Sequence, residues 1–192
     1  MFRFLIQFLK NPRGIGAVAP SSKVLAEKMM EPINFRTAEC IVEYGPGTGS
    51  FTKELIRRKR EETVLILIEQ NASFCRELKS KYGKRENVYI IEGSAENARK
   101  YLAACKCPAA DYIVSGLPFT SLKKELTRKI FINTRRVLGQ NGIFITFQYS
   151  MLKRKMFEQY FKIVGCKKEI RNFPPAYVLV MKTKAGPDLN VQ

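Results

Sequence analysis

The spacing of apolar positions changes character along this chain. Over residues 1–10 the polar side chains Arg3, Gln7 and Lys10 form one stripe at helical spacing. Phe2, Phe4, Leu5, Ile6, Phe8 and Leu9 then make a very broad apolar face. After a break over 11–16, Ser21 or Ser22 can cap a helix running to about Met30. From Cys40 onward short apolar runs alternate with amphipathic stretches. Residues 40–44, 64–69, 88–91, 111–115 and 143–149 read as strands, and 64–69 is apolar on both faces, as a central parallel strand requires. The stretches 51–60, 71–82, 95–104 and 122–138 read as the helices between them. Gly139-Gln140-Asn141-Gly142 reads as a turn and 152–163 as a further helix. Two last runs, 167–171 and 176–182, are joined by Phe173-Pro174-Pro175 without a helix.

Regular βα alternation ending in an antiparallel hairpin predicts an α/β fold: a Rossmann-like, doubly wound, seven-stranded sheet, mostly parallel, with a reversed edge strand. Strand 176–182 is expected antiparallel beside the fifth. A length of 192 residues suits one domain with a real core, and 45% hydrophobic residues can fill it. No internal repeat, low-complexity stretch or interdomain linker interrupts it.

Charge changes the picture. Lys and Arg number 34 against 17 Asp and Glu, a net charge of +17 that implies an anionic partner, nucleic acid or an anionic membrane surface. The basic residues cluster at Arg57-Arg58-Lys59-Arg60, Lys123-Lys124, Lys153-Arg154-Lys155 and Lys167-Lys168; singly, each cluster reads as a solvated helix face. The five cysteines include no C-x-x-C pair and histidine is absent, so a structural zinc site is not expected, imidazole catalysis is excluded and a reducing cytoplasm fits. No apolar run reaches membrane-spanning length. The first ten residues lack a small-residue cleavage site and are followed by Asn11-Pro12-Arg13, so they read as mature protein rather than a signal peptide.

Candidate chemistry lies at the ends of successive strands. Glu43-Tyr44-Gly45-Pro46-Gly47-Thr48-Gly49 joins the first strand to the first crossover helix. Glycine at every second position lets the backbone turn tightly and a ligand approach the main chain, while the N–H groups near the helix start suit a carboxylate. Glu69, followed by Gln70, ends the second strand, where an acid can accept from both ribose hydroxyls of a nucleoside. Glu92-Gly93-Ser94-Ala95 follows the third strand and Ser115-Gly116-Leu117-Pro118-Phe119 the fourth; Tyr149 ends the fifth.

The G-x-G-x-G loop opened by Glu43 differs from the dinucleotide fingerprint and is similar to the first motif of class I S-adenosylmethionine-dependent methyltransferases. That resemblance implies S-adenosylmethionine as cofactor, with contacts from Glu43 to Gly49, Glu69, Gln70, Ser94, Ala95 and Ser115. The class commonly has aspartate where Ser94 stands. Ser115 to Phe119 resembles the Asn/Asp-Pro-Pro-Tyr or Asn-Leu-Pro-Tyr element of class I enzymes that methylate nitrogen. In the rRNA adenine dimethyltransferases among them, the Asn side chain and a carbonyl hold the amine and an aromatic stacks on the flipped base. Gly116 stands in place of that Asn, offering a carbonyl and no side chain.

A more particular resemblance spans most of the chain. Phe8-Leu9-Lys10-Asn11-Pro12-Arg13, Gly16-Ala17-Val18-Ala19-Pro20-Ser21-Ser22, the glycine loop, Ser115-Gly116-Leu117-Pro118 and Arg171-Asn172-Phe173-Pro174-Pro175-Ala176 look like bacterial phospholipid N-methyltransferases. These methylate phosphatidylethanolamine toward phosphatidylcholine. The resemblance implies a cytoplasmic enzyme held peripherally on the inner face of the membrane, with no metal. Residues 1–36 would form a helical cap or membrane-contact segment and 37–192 the methyltransferase domain, in one compact unit. An amphipathic helix backed by cationic surface is the expected anchor, although the 1–10 helix equally suits a cap over the cofactor pocket. The reaction would be an in-line displacement by a neutral amine, held by Ser115, Gly116, Leu117 and Pro118, with Tyr149 a candidate to hold the amine or take its proton. Two other readings stand beside it: an RNA adenine methyltransferase, and a membrane-binding module on a decayed fold. The intact Glu43, Gly45, Gly47, Gly49 and Glu69 argue against the second.

Overall fold

The computed structural model describes residues 23–172 and 174–184. The 1–10 helix, the capping serines and Phe173 lie outside these. Five strands run parallel: β1 (Cys40–Tyr44), β2 (Val64–Glu69), β3 (Val88–Glu92), β4 (Ala110–Ser115) and β5 (Leu138–Gln148). β7 (Ala176–Thr183) pairs antiparallel with both β5 and β6 (Phe161–Glu169). All seven form one sheet in the order β3-β2-β1-β4-β5-β7-β6. The order reverses between β1 and β4, which opens a crevice at their carboxyl ends.

Period-two alternation in the central strands supplies both faces of the sheet. Ile41, Leu65 and Leu67 pack on one side with α1 (Lys23–Met30) and α2 (Ser50–Arg58); Val42, Tyr44, Ile66 and Ile68 pack on the other with α4 (Ala98–Ala104), α5 (Lys124–Val137) and α6 (Arg154–Glu158). α3 (Ala72–Tyr82) starts where the Asn71 side chain accepts from the N–H groups of Ser73 and Phe74. The second face is rich in rings. Phe119, Phe131, Phe144, Phe157 and Phe161 are all fully buried, with centroid separations such as 4.8 Å for Phe119–Phe131. Each such pair adds about 0.5–1.5 kcal/mol beyond its buried area.

The structure corrects four expectations. Gly139 to Gly142 form no turn but belong to β5, which begins at Leu138 opposite Ala110. A Cβ at Gly142 would lie 2.9 Å from the Ala110 carbonyl oxygen, so these glycines serve close strand approach at a bulge. The helix expected over 152–163 shrinks to α6, and β6 begins at Phe161, because pairing with β7 outweighs a helical apolar spacing. The 95–104 helix opens with a 3-10 turn (Ala95–Asn97) before α4. Finally, the reversed strand β7 is not the edge. β6 is, and Lys162, Lys167 and Lys168 line it, which discourages further pairing.

Candidate active site

At the crevice β1 ends with Tyr44 in register between Ile68 and Ser115. The chain then turns through Gly45, Gly47 and Gly49 at φ of +64°, +56° and +89°, the left-handed region that L side chains resist. The Gly45 N–H donates to the Ile68 carbonyl at 2.9 Å, and Gly49 caps α2. A Cβ on Gly45 would strike Leu117 at 2.7 Å. At Gly47 it would meet nothing within 4 Å, so the main chain there borders open space. Pro46 is buried and Thr48 exposed.

Glu69 ties this turn to β2. Its carboxyl is largely buried; one oxygen accepts from the Gly47 N–H at 2.9 Å and the other from the Asn71 N–H at 2.8 Å. A carboxylate has about four lone-pair positions, so capacity remains for ligand hydroxyls. Gln70 beside it is exposed. Glu43 is fully buried and accepts from the Thr52 hydroxyl at 2.7 Å, while its Oε1 has no donor among the described residues. Burial pushes the Glu43 carboxyl up to about 8, against the lowering Thr52 hydrogen bond, and the neighbouring Glu69 adds to the rise. The Tyr44 ring turns away into the opposite core, where the Thr134 hydroxyl donates to its oxygen, so only its main chain borders the crevice. The Gly93 N–H donates to the Glu69 carbonyl at 2.9 Å, which brings half-buried Ser94 and buried Ala95 beside the end of β2.

The Ser115 to Phe119 loop presses against the glycine turn. The Gly116 N–H donates to the Tyr44 carbonyl at 2.9 Å, and a Cβ at Gly116 would lie 2.9 Å from the Gly45 carbonyl oxygen. Ser115 is fully buried; its hydroxyl accepts from the Leu117 N–H and its carbonyl from the Thr146 hydroxyl, both at 3.2 Å. Leu117 and Pro118 are half-buried. Phe119 does not face the crevice: it is 1% exposed and packs on Phe131, Phe144 and Phe157.

Tyr149, just beyond β5, is half-buried, edge-on to Phe147 at 5.4 Å, and hydrogen-bonded with the Asn172 side chain. Burial pushes its phenol up and the Asn172 bond opposes this in part. Buried Asn172 also donates to the Pro174 carbonyl, fastening the late loop at the end of β5. Asn172 lies in the Arg171 to Ala176 motif, yet nothing in the sequence pairs it with Tyr149; that contact needs the β5–β7 register. Gln148 is buried with its Nε2 unpaired among the described residues.

The basic clusters divide. Arg57 and Arg58 pair with Glu54, Arg60 pairs with Glu62, and Lys59 donates to the carbonyls of Arg60, Glu61 and Thr63, so this cluster closes α2. Lys167 bridges to Glu31 and Lys168 lies over the Tyr177 ring. Lys153 instead donates to the Thr120 carbonyl at 2.7 Å, beside the Ser115 to Phe119 loop. Among the described residues no cluster suits a metal ion and no helix is long and apolar enough to cross a membrane.

The donor set fits S-adenosylmethionine: open space over Gly47, carboxyl capacity at Glu69, and an unpaired buried acceptor at Glu43. Known proteins agree. The profile of the family described as Ribosomal RNA adenine dimethylase matches residues 7–165. Ornithine lipid N-methyltransferase of Singulisphaera acidiphila is 33% identical over 177 residues, covering 91% of this chain and 92% of that protein. Ribosomal RNA small subunit methyltransferase A of a Sulfurihydrogenibium species is 30% identical over 93 residues, 48% of this chain and 35% of that protein. A fibrillarin from Aeropyrum pernix, solved with natively bound S-adenosyl-L-methionine, matches with a TM-score of 0.61 at 14% identity, covering 75% of this chain and 66% of that one. That last likeness shows the shared fold.

Proposed function

The chain belongs to the family described as Ribosomal RNA adenine dimethylase and is an S-adenosylmethionine-dependent methyltransferase; from that premise we propose that it methylates the amine of a membrane lipid, with the phosphatidylethanolamine headgroup as acceptor. One observation carries this reading. The acceptor loop has Gly116 where an amide side chain would hold a base, and its aromatic, Phe119, is locked in the core. Such a loop offers a flipped adenine neither a side-chain partner nor a stacking face, while a small primary amine needs only carbonyl acceptors. The near full-length similarity to a protein named for a lipid substrate supports it, whereas the relative named for ribosomal RNA matches only 48% of this chain. The first of these also favours a second lipid acceptor, the amine of an ornithine lipid.

In this reading Glu69 and Gln70 receive the ribose, Ser94 and Ala95 border the adenine, and the Gly45 to Gly49 amides with Glu43 hold the amino-acid end. The cofactor supplies an activated methyl carbon on its sulfonium. The chain aligns the amine and excludes water. The Gly116 carbonyl and the second lone pair of the Ser115 carbonyl accept the amine N–H groups, while Leu117 and Pro118 hold them in place. Tyr149, a phenol and so neutral near pH 7, orients the amine rather than taking its proton; burial pushes its pKa up further. Residues 1–10 and the cation-rich acceptor end would bring the enzyme to an anionic membrane surface on the cytoplasmic side.

A radiolabelled-methyl assay tests this, with vesicles of phosphatidylethanolamine and phosphatidylglycerol, vesicles containing ornithine lipid, and ribosomal RNA offered in parallel. Label is expected in lipid. Label in ribosomal RNA with none in either vesicle would reverse the assignment.

A further inference from the structure

Beside the acceptor loop lies a cavity of about 490 Å³ between that loop, α5 and α6, and nothing in the cofactor or amine chemistry uses it. Its volume falls in the ~300–1,000 Å³ range of small-molecule sites. Phe119, Leu122, Met156 and Tyr160 give it apolar walls. Thr127 also lines it, 4% exposed, and its hydroxyl has no partner among the described residues. A buried hydroxyl without a partner costs stability unless a ligand supplies one. Lys124, Arg128 and Lys153 stand at the same cavity against a single acid, Glu125. Leu152, one residue before Lys153, is 93% exposed.

We propose that this cavity receives one acyl chain of a membrane lipid, with its first carbonyl on the Thr127 hydroxyl and its anionic headgroup oxygens on Lys124, Arg128 and Lys153. The inference rests on the lipid-amine reading and deepens it. Apolar walls accept the chain by burial, the orphaned donor finds a carbonyl acceptor, and the cations match phosphate or carboxylate. Phe119 ends the Ser115 to Phe119 loop and Lys153 bonds the Thr120 carbonyl one residue beyond it, so a lipid seated in the cavity lies alongside that loop. Exposed Leu152 beside Lys153 and Lys155 marks where the bilayer meets the mouth: an apolar tip enters the interface and the cations face anionic headgroups.

The test uses the full chain, a fluorescent long-chain fatty acid (an anthroyloxy palmitate) as probe, and the variants Met156→Glu and Leu122→Glu, which put a charge into the apolar wall. Wild type is expected to bind the probe saturably. Each variant should bind it roughly tenfold more weakly, about 1.4 kcal/mol, with unchanged calorimetric affinity for S-adenosylhomocysteine as the control for folding. Methyl transfer to phosphatidylethanolamine vesicles should fall in parallel, and Met156→Leu should keep both properties. No saturable binding by wild type, or equal binding by both charged variants, overturns the proposal. Probe binding lost in both variants while wild type methylates no lipid would uphold the acyl-chain site and sink the lipid-amine acceptor.

Discussion

A Cβ at Gly116 would lie 2.9 Å from the Gly45 carbonyl oxygen, a separation that real Cβ atoms essentially never show. Gly116→Ala should therefore push the acceptor loop off the glycine turn at an overpacking cost of about 1–3 kcal/mol. Thermal melting would show it, and an unchanged melting temperature would mean the loops can part freely. Glu69 is a different case, because its carboxyl fastens Gly47 and still has lone pairs to spare. Glu69→Ala should weaken S-adenosylhomocysteine binding by roughly 1–3 kcal/mol in calorimetry, the cost of leaving such partners unpaired; unchanged affinity would place the pocket elsewhere. Glu43 predicts a pH effect. Its folded pKa of about 8 stands above the ordinary glutamate value of 4.5, so its stability contribution is full below 4.5 and is lost as pH rises toward 8. In melts without cofactor, Glu43→Gln should gain on wild type steadily across that window. A constant difference would show that Glu43 does not titrate there.

At the scale of elements, the late hairpin meets Tyr149 through Asn172. β7 lies beside β5 in register, Gln148 opposite Tyr177, and this brings Asn172 to Tyr149. A phenol held above its ordinary pKa cannot serve as a base at neutral pH. Tyr149→Phe is therefore expected to lower methyl transfer while leaving the alkaline rise of the pH–rate profile, which belongs to the acceptor amine, in place. Disappearance of that rise would make Tyr149 the proton acceptor. Both hairpin strands were expected, but not the extent of β6. Its first residues, Phe161 to Ile163, continue the apolar spacing of α6, and only pairing with β7 makes them strand.

For the whole molecule, the cations behind the net charge of +17 are placed unequally. The Arg57 to Arg60 cluster is consumed by Glu54, Glu62 and backbone carbonyls, whereas Lys124, Arg128 and Lys153 gather at the acceptor end. If these and residues 1–10 serve membrane docking, removing Met1 to Lys10 should abolish vesicle sedimentation and lipid methylation while cofactor affinity suffers less. Each basic residue near an anionic bilayer contributes about 1 kcal/mol and is screened within a Debye length, so wild-type vesicle binding should weaken with salt. Salt-independent binding would remove the electrostatic part of this account.

Residue order alone determined the α/β class, the five parallel strands and the glycine turn with its acids, because buried strands need continuous apolar runs and left-handed turns need glycine. Local chemistry of that kind is written residue by residue. Tertiary structure decided what depends on residues far apart in the chain. Gly139 to Gly142 became strand only because Ala110 lies opposite. Phe119 faces the core rather than the crevice because Phe131, Phe144 and Phe157 enclose it, and Gly116 became obligatory because the Gly45 carbonyl occupies the space beside it. Those outcomes are packing facts, set by which surfaces meet once the sheet has closed, and no periodicity along the chain encodes them.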